Sequence, residues 1–341
     1  MAQDFAADPN AVRQFVIEAV EAGQRGLAER VAEAFGVSRP TAYNYLRALL
    51  EEGVITRLSP DRYELTAIQH AFHHEVAGLA EDVVWSSEIA PTLKCLPPNV
   101  LNILQYATTE MINNVIDHSG SPDVRIAVEA TAAETTITVV DHGVGIFRKI
   151  ASALDLEDDR QAVLELSKGK VTTDPDNHTG EGVFFSSRAC DHFRILSRGV
   201  FFDHDARTDQ DWILDQEAEW AGTSVAMTMR HTSQTELREV FDEYTTDTED
   251  FRFDRTVVPV KLMQYADDQL VSRSQAKRLM GRFDRFRTVI LDFADVPAIG
   301  QAFADEVFRV FPTRHPGVDV VAINTNEQVG RMVARANRDH S

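Results

Sequence analysis

The sequence contains few cysteines and no long apolar run. Cys95 and Cys190 are the two cysteines among 341 residues, too few for a disulfide framework or a cysteine-based metal cluster. No segment approaches about 18 uninterrupted apolar residues, and the N-terminus lacks the basic-then-apolar pattern of a signal peptide. We therefore expect a soluble, cytoplasmic protein in which both cysteines are buried thiols.

Positive charge is scarce as well, and the shortage is local. The chain has 34 Lys and Arg against 54 Asp and Glu, which gives a formal net charge of −20. Residues 67–255 hold 15 basic and 34 acidic side chains, whereas residues 1–66 hold 7 and 10 and residues 256–341 hold 12 and 10. This balance argues against the middle section as a general nucleic-acid clamp. The length accommodates two or three domains.

The middle section contains three short motifs in a fixed order. They are Glu110-Met-Ile-Asn-Asn-Val-Ile-Asp-His118, then Asp141-His-Gly-Val-Gly145, then Thr179-Gly-Glu-Gly182. Each motif alone is weak, because short patterns of this kind occur by chance in many chains. Together, and in this order, they indicate an ATP site.

The first motif lies on an amphipathic helix predicted over residues 98–118. Steps of four residues place Glu110, Asn114 and His118 along one stripe of this helix. Mg²⁺ prefers oxygen ligands, and the side-chain carbonyl of Asn114 supplies one. Glu110, one turn away, is placed to orient or deprotonate an attacking water or hydroxyl. This motif therefore predicts a metal ligand beside a general base.

The other two motifs follow a strand and open a helix. Asp141 ends a strand predicted over 135–140, where it can accept a hydrogen bond from an adenine amine, and nearby glycines allow close approach of the base. Gly180 and Gly182 precede a helix predicted over 183–189, whose N-terminus favours phosphate. Between these motifs, residues 150–178 are polar and acidic, and we expect them to form a mobile lid.

The arrangement resembles the GHKL, or Bergerat-fold, ATPase domain of gyrase B, Hsp90, MutL, histidine kinases and anti-sigma serine kinases. The first motif is similar to the family's N box, the second to its G1 box and the third to its G2 box. A further Gly222-Thr223 pair matches a Gly-Thr whose hydroxyl joins the family's water network around adenine. The resemblance implies that a set of residues from these motifs binds ATP: Asn114, His118, Asp141, Gly143, Gly145, Thr179, Gly180, Gly182 and Thr223.

The resemblance departs from the family at one position. Its histidine kinases often carry a lysine immediately before the N-box His, and this chain has Asp117 there. The resemblance implies that this lysine contacts phosphate in those kinases. Lys168, Lys170 or Arg188 is the candidate to make that contact here. The family comparison also leaves the reaction open, because Glu110 could activate water in an ATPase or a Ser or Thr hydroxyl in a protein kinase. A nucleotide sensor that does not hydrolyse ATP is a third alternative.

The N-terminal section predicts a winged helix-turn-helix. A helix over residues 11–20 is followed by a short helix over 27–35, a Gly36-Val37 turn and a third helix capped by Ser38. Residues 53–57 and 62–65 read as two strands of a wing. The section resembles the winged helices of bacterial transcription regulators. Seven side chains are then expected to face DNA: Arg39, Thr41, Tyr43, Asn44 and Arg47 on the third helix, and Arg57 and Arg62 on the wing.

The low positive charge of the N-terminal section bears on how it would bind DNA. Its charge balance is slightly acidic, so a winged helix used for protein contact is the alternative. A single module with so little positive charge would bind DNA weakly, and we therefore expect a homodimer or a partner. Residues 66–89 are predicted to form a helical linker. Its His74 is followed by Glu75 as in a phosphoacceptor helix, but there is no room for a second dimerisation helix, so we favour a packing role.

The C-terminal section alternates strands and helices. Strands are predicted over 257–262, 288–293 and 318–324, and helices over 272–286, 300–311 and 326–337. The pattern is similar to STAS domains and to the STAS-like domain of unknown function that often follows such ATPases. STAS domains that act as anti-sigma-factor antagonists are phosphorylated on a Ser at the start of the helix that corresponds to residues 300–311. This Ser has no counterpart here, because residues 297–306 carry no hydroxyl. We therefore expect no phosphorylation switch of the usual kind and interpret Gln301, Asp305 and Glu306 as contact or surface residues, the former if a protein partner binds this domain.

These readings combine into one multidomain α/β protein. It comprises a winged helix over 1–66, a helical linker over 67–97, a Bergerat α/β sandwich ATPase over 98–255 and a STAS-like domain over 256–341. The expected function is that of a DNA-binding regulator whose geometry depends on ATP and Mg²⁺. The alternative is a serine/threonine kinase of the anti-sigma type.

Overall fold

A computed structural model describes residues 7–93, 95–171, 180–208, 210–215, 221–245, 253–264 and 270–338. The predicted Thr179 site residue lies outside these ranges. Within them, no helix combines the length and apolar character needed to cross a membrane.

The N-terminal section is a winged helix, as predicted. Ser38 accepts a hydrogen bond from the backbone N–H of Thr41 at 3.3 Å and so caps the third helix, which has Pro40 in its first turn. Its elements are α1 (Pro9–Glu21), α2 (Leu27–Phe35), α3 (Arg39–Glu51), β1 (Ile55–Ser59) and β2 (Arg62–Leu65). The two strands pair antiparallel and form the wing.

The central section is built on one antiparallel sheet with helices packed against it. Its seven strands lie in the order β3-β4-β5-β9-β6-β7-β8. They are β3 (Ile68–Glu75), β4 (Asp123–Ala130), β5 (Glu134–Asp141), β6 (His192–Ser197), β7 (Val200–Asp205), β8 (Gln210–Asp215) and β9 (Thr223–Arg230). Alternate residues of β4 are buried (Val124, Ile126 and Val128), because one face of the sheet is covered.

The helices of this section supply the covering layer. They are α4 (Glu81–Val84), α5 (Pro98–Asn114), α6 (Ile146–Ala153), α7 (Asp159–Lys168), α8 (Gly182–Ala189) and α9 (Leu237–Glu243). Helix α5 contacts β5, β9 and α8 and ends in a π-helical turn over Val115–Ser119, so it carries the first motif through the centre of the domain.

The C-terminal section contains a parallel sheet in the order β10-β11-β12. Its strands are β10 (Arg255–Pro259), β11 (Thr288–Asp292) and β12 (Asp319–Ile323). Its helices are α10 (Arg273–Leu279), α11 (Gln301–Asp305), α12 (Phe311–Arg314) and α13 (Glu327–Arg338), and a π-helical turn joins α11 to α12. The predicted alternation of strands and helices is confirmed.

Part of the predicted helical linker is wrong. Residues 68–75 form β3, which pairs with β4 along its whole length from Ile68 opposite Ala130 to Glu75 opposite Asp123. The helical part of the segment begins only at Glu81 and continues as short turns to Thr92. The histidines of this segment therefore lie on an edge strand, where His73 Nε2 is 2.8 Å from the Asp123 carboxylate.

Two further expectations need correction. The lid predicted over residues 150–178 includes α7, in which residues 162–168 are all buried; residues 172–179 lie outside the described ranges. The polar composition concealed this helix because its charged residues Glu165 and Lys168 pair with each other at 2.6 Å. The expectation that both cysteines are buried is confirmed for Cys190 and wrong for Cys95, which is exposed.

Candidate functional site

A cavity of about 300 Å³ lies between α5, α6, α7 and the start of α8. This volume is at the lower end of the range of small-molecule sites. Five separate stretches of chain meet here, and four of them contribute residues that the sequence singled out. The predicted residues among its lining are Glu110, Asn114, His118, Asp141, Gly145, Gly180, Gly182 and Thr223.

Asp141 is a buried carboxylate in the lining of the cavity. It is 4% exposed, and its Oδ1 accepts a hydrogen bond from the Gly143 N–H at 2.7 Å. Burial raises the pKa of Asp141, although hydrogen bonds from Gly143 and Thr223 oppose this effect. The Thr223 hydroxyl oxygen also accepts from the Ile146 N–H at 3.0 Å. The carboxylate is thus held in one orientation by groups from the G1-like motif and the Gly-Thr pair.

Other chain segments approach two of the glycines closely, and at Gly143 the approaching atoms belong to the backbone, so that a side chain is excluded there. A Cβ atom at Gly182 would overlap the carboxylate of Glu110. A Cβ atom at Gly143 would overlap the backbone carbonyl of Ser119. The glycines therefore bring the second and third motifs against the helix that carries the first.

Helix α5 presents Glu110 and Asn114 to the cavity from successive turns. Glu181, in the third motif, also lines the cavity. On the preceding turn of α5, burial raises the pKa of Tyr106, and the charges of Glu110 and Glu181 raise it further. Together with Asp141, these two carboxylates make the cavity strongly acidic.

Lys149 is a cavity residue that the sequence reading missed. It lies on α6, and its Nζ donates a hydrogen bond to the carbonyl of His118 at 2.6 Å. Among the described lining residues, it is the one Lys or Arg. A signal was present, because Lys149 stands one helical turn after Gly145 and beside the apolar Ile146 and Ile150.

The three basic residues suggested as phosphate contacts lie elsewhere. Lys168 is fully buried, and its Nζ donates to Glu165 at 2.6 Å and to the Gly281 carbonyl at 3.1 Å. Burial lowers the pKa of Lys168, and Glu165 opposes the shift. The Nζ of Lys170 donates to the Arg285 carbonyl at 3.0 Å. Both lysines thus point to the C-terminal domain, since its packing against α7 offers them acceptors that are invisible in the local sequence.

Arg188, the third of these residues, lies near the end of α8 and forms a buried cluster with Asp211 and His204. Its Nη2 donates to Asp211 at 3.2 Å, and the same carboxylate is 2.6 Å from His204 Nδ1. Burial alone would raise the pKa of Asp211, but Arg188 and His204 outweigh it and lower the pKa to about 2. None of these three residues is among the cavity's lining.

The residues predicted to face DNA lie on one helix and the wing. Arg39, Tyr43, Asn44 and Arg47 of α3 are exposed, and Thr41 is half-buried. Arg47 donates to the Asn44 side chain at 2.6 Å, and Arg39 pairs with Glu29. Arg57 and Arg62 are exposed on the wing. The helix therefore presents amide, phenol and guanidinium groups outward, as the sequence predicted.

Comparisons with known protein families identify the two ends of the chain. Residues 16–59 match the IclR helix-turn-helix domain, and residues 275–329 match a STAS-like domain of unknown function. The chain thus has an IclR-type helix-turn-helix and a C-terminal STAS-like domain. The predicted helix-turn-helix and STAS-like domain are confirmed, and the first supports a DNA-binding transcriptional regulator. No curated protein is significantly similar to the chain.

Two solved structures show weak similarity. An IclR transcriptional regulator from Alicyclobacillus acidocaldarius is 13% identical, with 69% of this chain and 94% of that chain covered and a TM-score of 0.20. A protein described as a GntR-family transcriptional regulator is 11% identical, with 64% and 92% covered and a TM-score of 0.14. With TM-scores this low, these two structures show neither the fold nor the function of this chain.

Proposed function

We propose that this protein is a DNA-binding regulator controlled by an adenine nucleotide that binds, with Mg²⁺, in the central domain. We assign that domain to the GHKL, or Bergerat-fold, class. The observation that supports the proposal is the cavity itself, where residues of all three motifs and the Gly-Thr pair meet although they are far apart in sequence. A chance set of short motifs would not be expected to converge in this way.

The shape and polarity of the cavity fit the base of such a nucleotide. Asp141 offers a buried, oriented acceptor for an exocyclic amine. Val139, Ile150 and Val225 provide apolar lining. An adenine ring needs both features, because its faces are apolar and its edge carries hydrogen-bonding groups.

The part of the lining that carries Gly180 and Gly182 fits a polyphosphate. Gly180 and Gly182 stand at the start of α8, where the backbone N–H groups of a helix favour an anion. Glu110, Asp141 and Glu181 would repel the same anion, so a cation is required. Lys149 supplies one positive charge, and Asn114 offers an oxygen to a metal ion. When bound, Mg²⁺ would neutralise charge on the phosphates.

Glu110 is placed to take a proton in a hydrolytic reaction. It lies one turn before Asn114 on α5 and beside Gly182, so its carboxylate sits next to the proposed phosphate end. General-base catalysis of this kind contributes about 10² to 10⁴-fold to rate. The winged helix provides the output, through the exposed face of α3 and the wing.

The test is calorimetric titration of the full chain with ATP, with and without Mg²⁺. Asp141→Ala should weaken binding about ten-fold or more, because a charged hydrogen bond is worth roughly 1.5 to 3 kcal/mol. Asp242→Ala, which removes a carboxylate from the exposed surface of α9, is the matched control and should bind ATP normally. Unchanged affinity of the Asp141 variant would sink the adenine assignment.

Turnover separates the role of Glu110 from binding. Glu110→Ala should still bind ATP, while steady-state hydrolysis falls by about 10² or more. If γ-labelled ATP transferred its label to a protein instead of releasing phosphate, the same carboxylate would belong to a kinase. Hydrolysis by the variant equal to that of the wild type would show that another group is the base.

A further inference from the structure

Three consecutive backbone carbonyls beside the cavity accept hydrogen bonds from side chains of the C-terminal domain. Thr256 Oγ1 donates to the Lys168 carbonyl at 2.7 Å. Arg282 Nη2 donates to the Gly169 carbonyl at 3.5 Å and, at closer range, to the Lys170 carbonyl. Arg285 Nη1 donates to the same Lys170 carbonyl at 3.1 Å. We call residues 166–171 the wall segment.

The wall segment depends on these donors for its conformation. Helix α7 ends at Lys168, and the last carbonyls of a helix have no partner within it. Gly169 and Lys170 then adopt positive φ values of +80° and +54°, and such a value is costly for a residue with a side chain. The Thr256 hydroxyl satisfies the last carbonyl of α7, and the guanidinium groups of Arg282 and Arg285 satisfy the two carbonyls that follow and carry the charge that a helix C-terminus favours. The C-terminal domain therefore completes the end of α7.

The same segment forms part of the cavity. Leu166 and Val171, at its two ends, line the cavity directly. The Val171 N–H donates to the Gly180 carbonyl at 3.0 Å, which connects the wall segment to the glycine motif. A shift of the wall segment would therefore move both an apolar wall and the loop proposed to hold phosphate.

A buried charge cluster anchors the segment from below. Arg282 Nη1 is 3.2 Å from one carboxylate oxygen of Glu165, and Lys168 Nζ is 2.6 Å from the other. The side chains of Glu165, Lys168 and Arg282 are 7%, 0% and 15% exposed. The single carboxylate of Glu165 is shared by the two cations, so it holds Arg282 of the C-terminal domain and Lys168 of the wall segment at one point.

We propose that the C-terminal domain positions the nucleotide cavity through Arg282, so that nucleotide binding and docking of this domain stabilise each other. The proposal rests on the function proposed above. Arg282 is a positioning residue, since its guanidinium reaches the wall segment and not the cavity. Coupling between two binding equilibria is reciprocal, so docking of the domain strengthens nucleotide binding by the same factor as bound nucleotide strengthens docking.

Arg282→Asn in the full chain tests the proposal. Arg282 has a φ of +64°, and Asn tolerates that conformation, so the exchange removes the guanidinium without adding backbone strain. ATP affinity measured by calorimetry should fall about five-fold or more, the lower range of typical coupling. Arg282→Lys should give an intermediate affinity, because an ammonium group replaces one donor but not the planar fork.

Arg278→Asn is the matched control. The Arg278 guanidinium also bridges the two domains, but to Glu157 Oε2 at 2.8 Å, outside the wall segment, and the backbone carbonyl of Arg278 that accepts from Lys168 Nζ at 3.5 Å is kept in the variant. This variant should bind ATP as the wild type does. Equal losses in the two variants would mean that general weakening of the domain contact, and not positioning of the wall segment, explains the result, and the proposal would be wrong.

Hydrogen exchange without nucleotide provides a readout independent of ATP. In Arg282→Asn, the amides of residues 166–171 and 180–183 should exchange faster than in the wild type, while those of α3 stay unchanged. Unchanged exchange at these positions would overturn the proposal. If the wild type failed to bind ATP, the proposed function would fall, and this exchange experiment would still decide whether Arg282 positions the wall.

Thr256→Val is the milder variant should Arg282→Asn unfold. It keeps the volume of a buried side chain and removes only the hydrogen bond to the Lys168 carbonyl. We expect faster exchange confined to the wall segment and a smaller loss of ATP affinity than in Arg282→Asn. An exchange rate and affinity identical to those of the wild type would contradict the coupling.

Discussion

The two terminal domains are attached to the central domain in opposite ways. The winged helix has a core of its own, to which the central sheet contributes a single buried residue, Ala133, at the tip of the β4–β5 hairpin. The C-terminal domain shares one continuous core with the central domain. The two terminal domains thus differ in how independent they are of the central domain.

The contacts at the two junctions also differ, in polarity and in burial. At the N-terminal junction, Arg230 and Glu21 form an ion pair at 3.1 Å whose side chains are 34% and 25% exposed. At the C-terminal junction, Phe253 stacks on Phe184 with ring centroids 4.7 Å apart and meets Phe286 edge-on at 5.5 Å. The first contact is polar and partly solvated, and the second is apolar and buried. We infer that the C-terminal domain is part of the cavity's scaffold, whereas the winged helix is separable.

The largest effects are expected when one buried side chain is truncated in each core, and these variants test whether the winged helix is stable independently of the other two domains. Phe253→Ala should destabilise the central and C-terminal domains together by about 3 to 5 kcal/mol, because it leaves a cavity among aromatic rings. Leu46→Ala, in the core of the winged helix, should cost about 2 to 5 kcal/mol. Denaturant unfolding combined with hydrogen exchange measures both effects.

The location of the effect matters more than its size. In Leu46→Ala, faster exchange should be confined to the winged helix, and ATP affinity should be retained. In Phe253→Ala, amides of β10 and α8 should lose protection in one step. If Leu46→Ala lowered the protection of α5 and α8 as much as that of α1–α3, the winged helix would not be an independent body.

Arg47→Ala sharpens the comparison by removing function from one domain only. Affinity for DNA should fall, and the slope of log affinity against log salt should decrease by about one unit if Arg47 contacts a phosphate. Binding of ATP should not change. Arg335→Ala, the same charge change on the exposed face of α13, is the control and should leave DNA binding intact. Absence of DNA binding by the wild type at low salt would favour a protein-contact module.

The smallest expected effect is at the N-terminal junction. Glu21→Ala and Arg230→Ala, combined in a double-mutant cycle, should show a coupling energy between about 0 and 1 kcal/mol, because the ion pair is partly exposed. The cycle is measured by the free energy of unfolding. A coupling energy of several kcal/mol would mean that the winged helix is held more firmly than its separate core indicates.

The sequence was most informative where structure depends on local spacing. Glu110 and Asn114 line the cavity together because four residues make about one turn of a helix, and this follows from sequence alone. The capped helix α3 was predicted for the same reason, since Ser38 and Pro40 act within a few residues of their own positions. Convergence of the motifs could be inferred only from the family resemblance.

The failures occurred where distant contacts decide the structure. β3 was predicted as a helix because almost all its residues are exposed, so the strand lacks the alternating apolar pattern that burial of one face would impose. Its conformation comes from pairing with β4, far along the chain. Lys168 and Lys170 were assigned to phosphate for a related reason, since their acceptors belong to the C-terminal domain.

The length of strand β5 limits the electrostatic interaction between the cavity and the winged helix. Asp141 stands at its cavity end and Glu134 at the end nearest the winged helix, so its eight residues span about 24 Å. At an effective dielectric constant of about 20, unit charges at that separation interact by roughly 0.7 kcal/mol before screening. The distance is also about three Debye lengths at physiological ionic strength. The electric field of the proposed nucleotide would therefore contribute little to DNA affinity for each unit of its charge, and any larger effect would have to arise from displaced atoms and should persist when salt is raised.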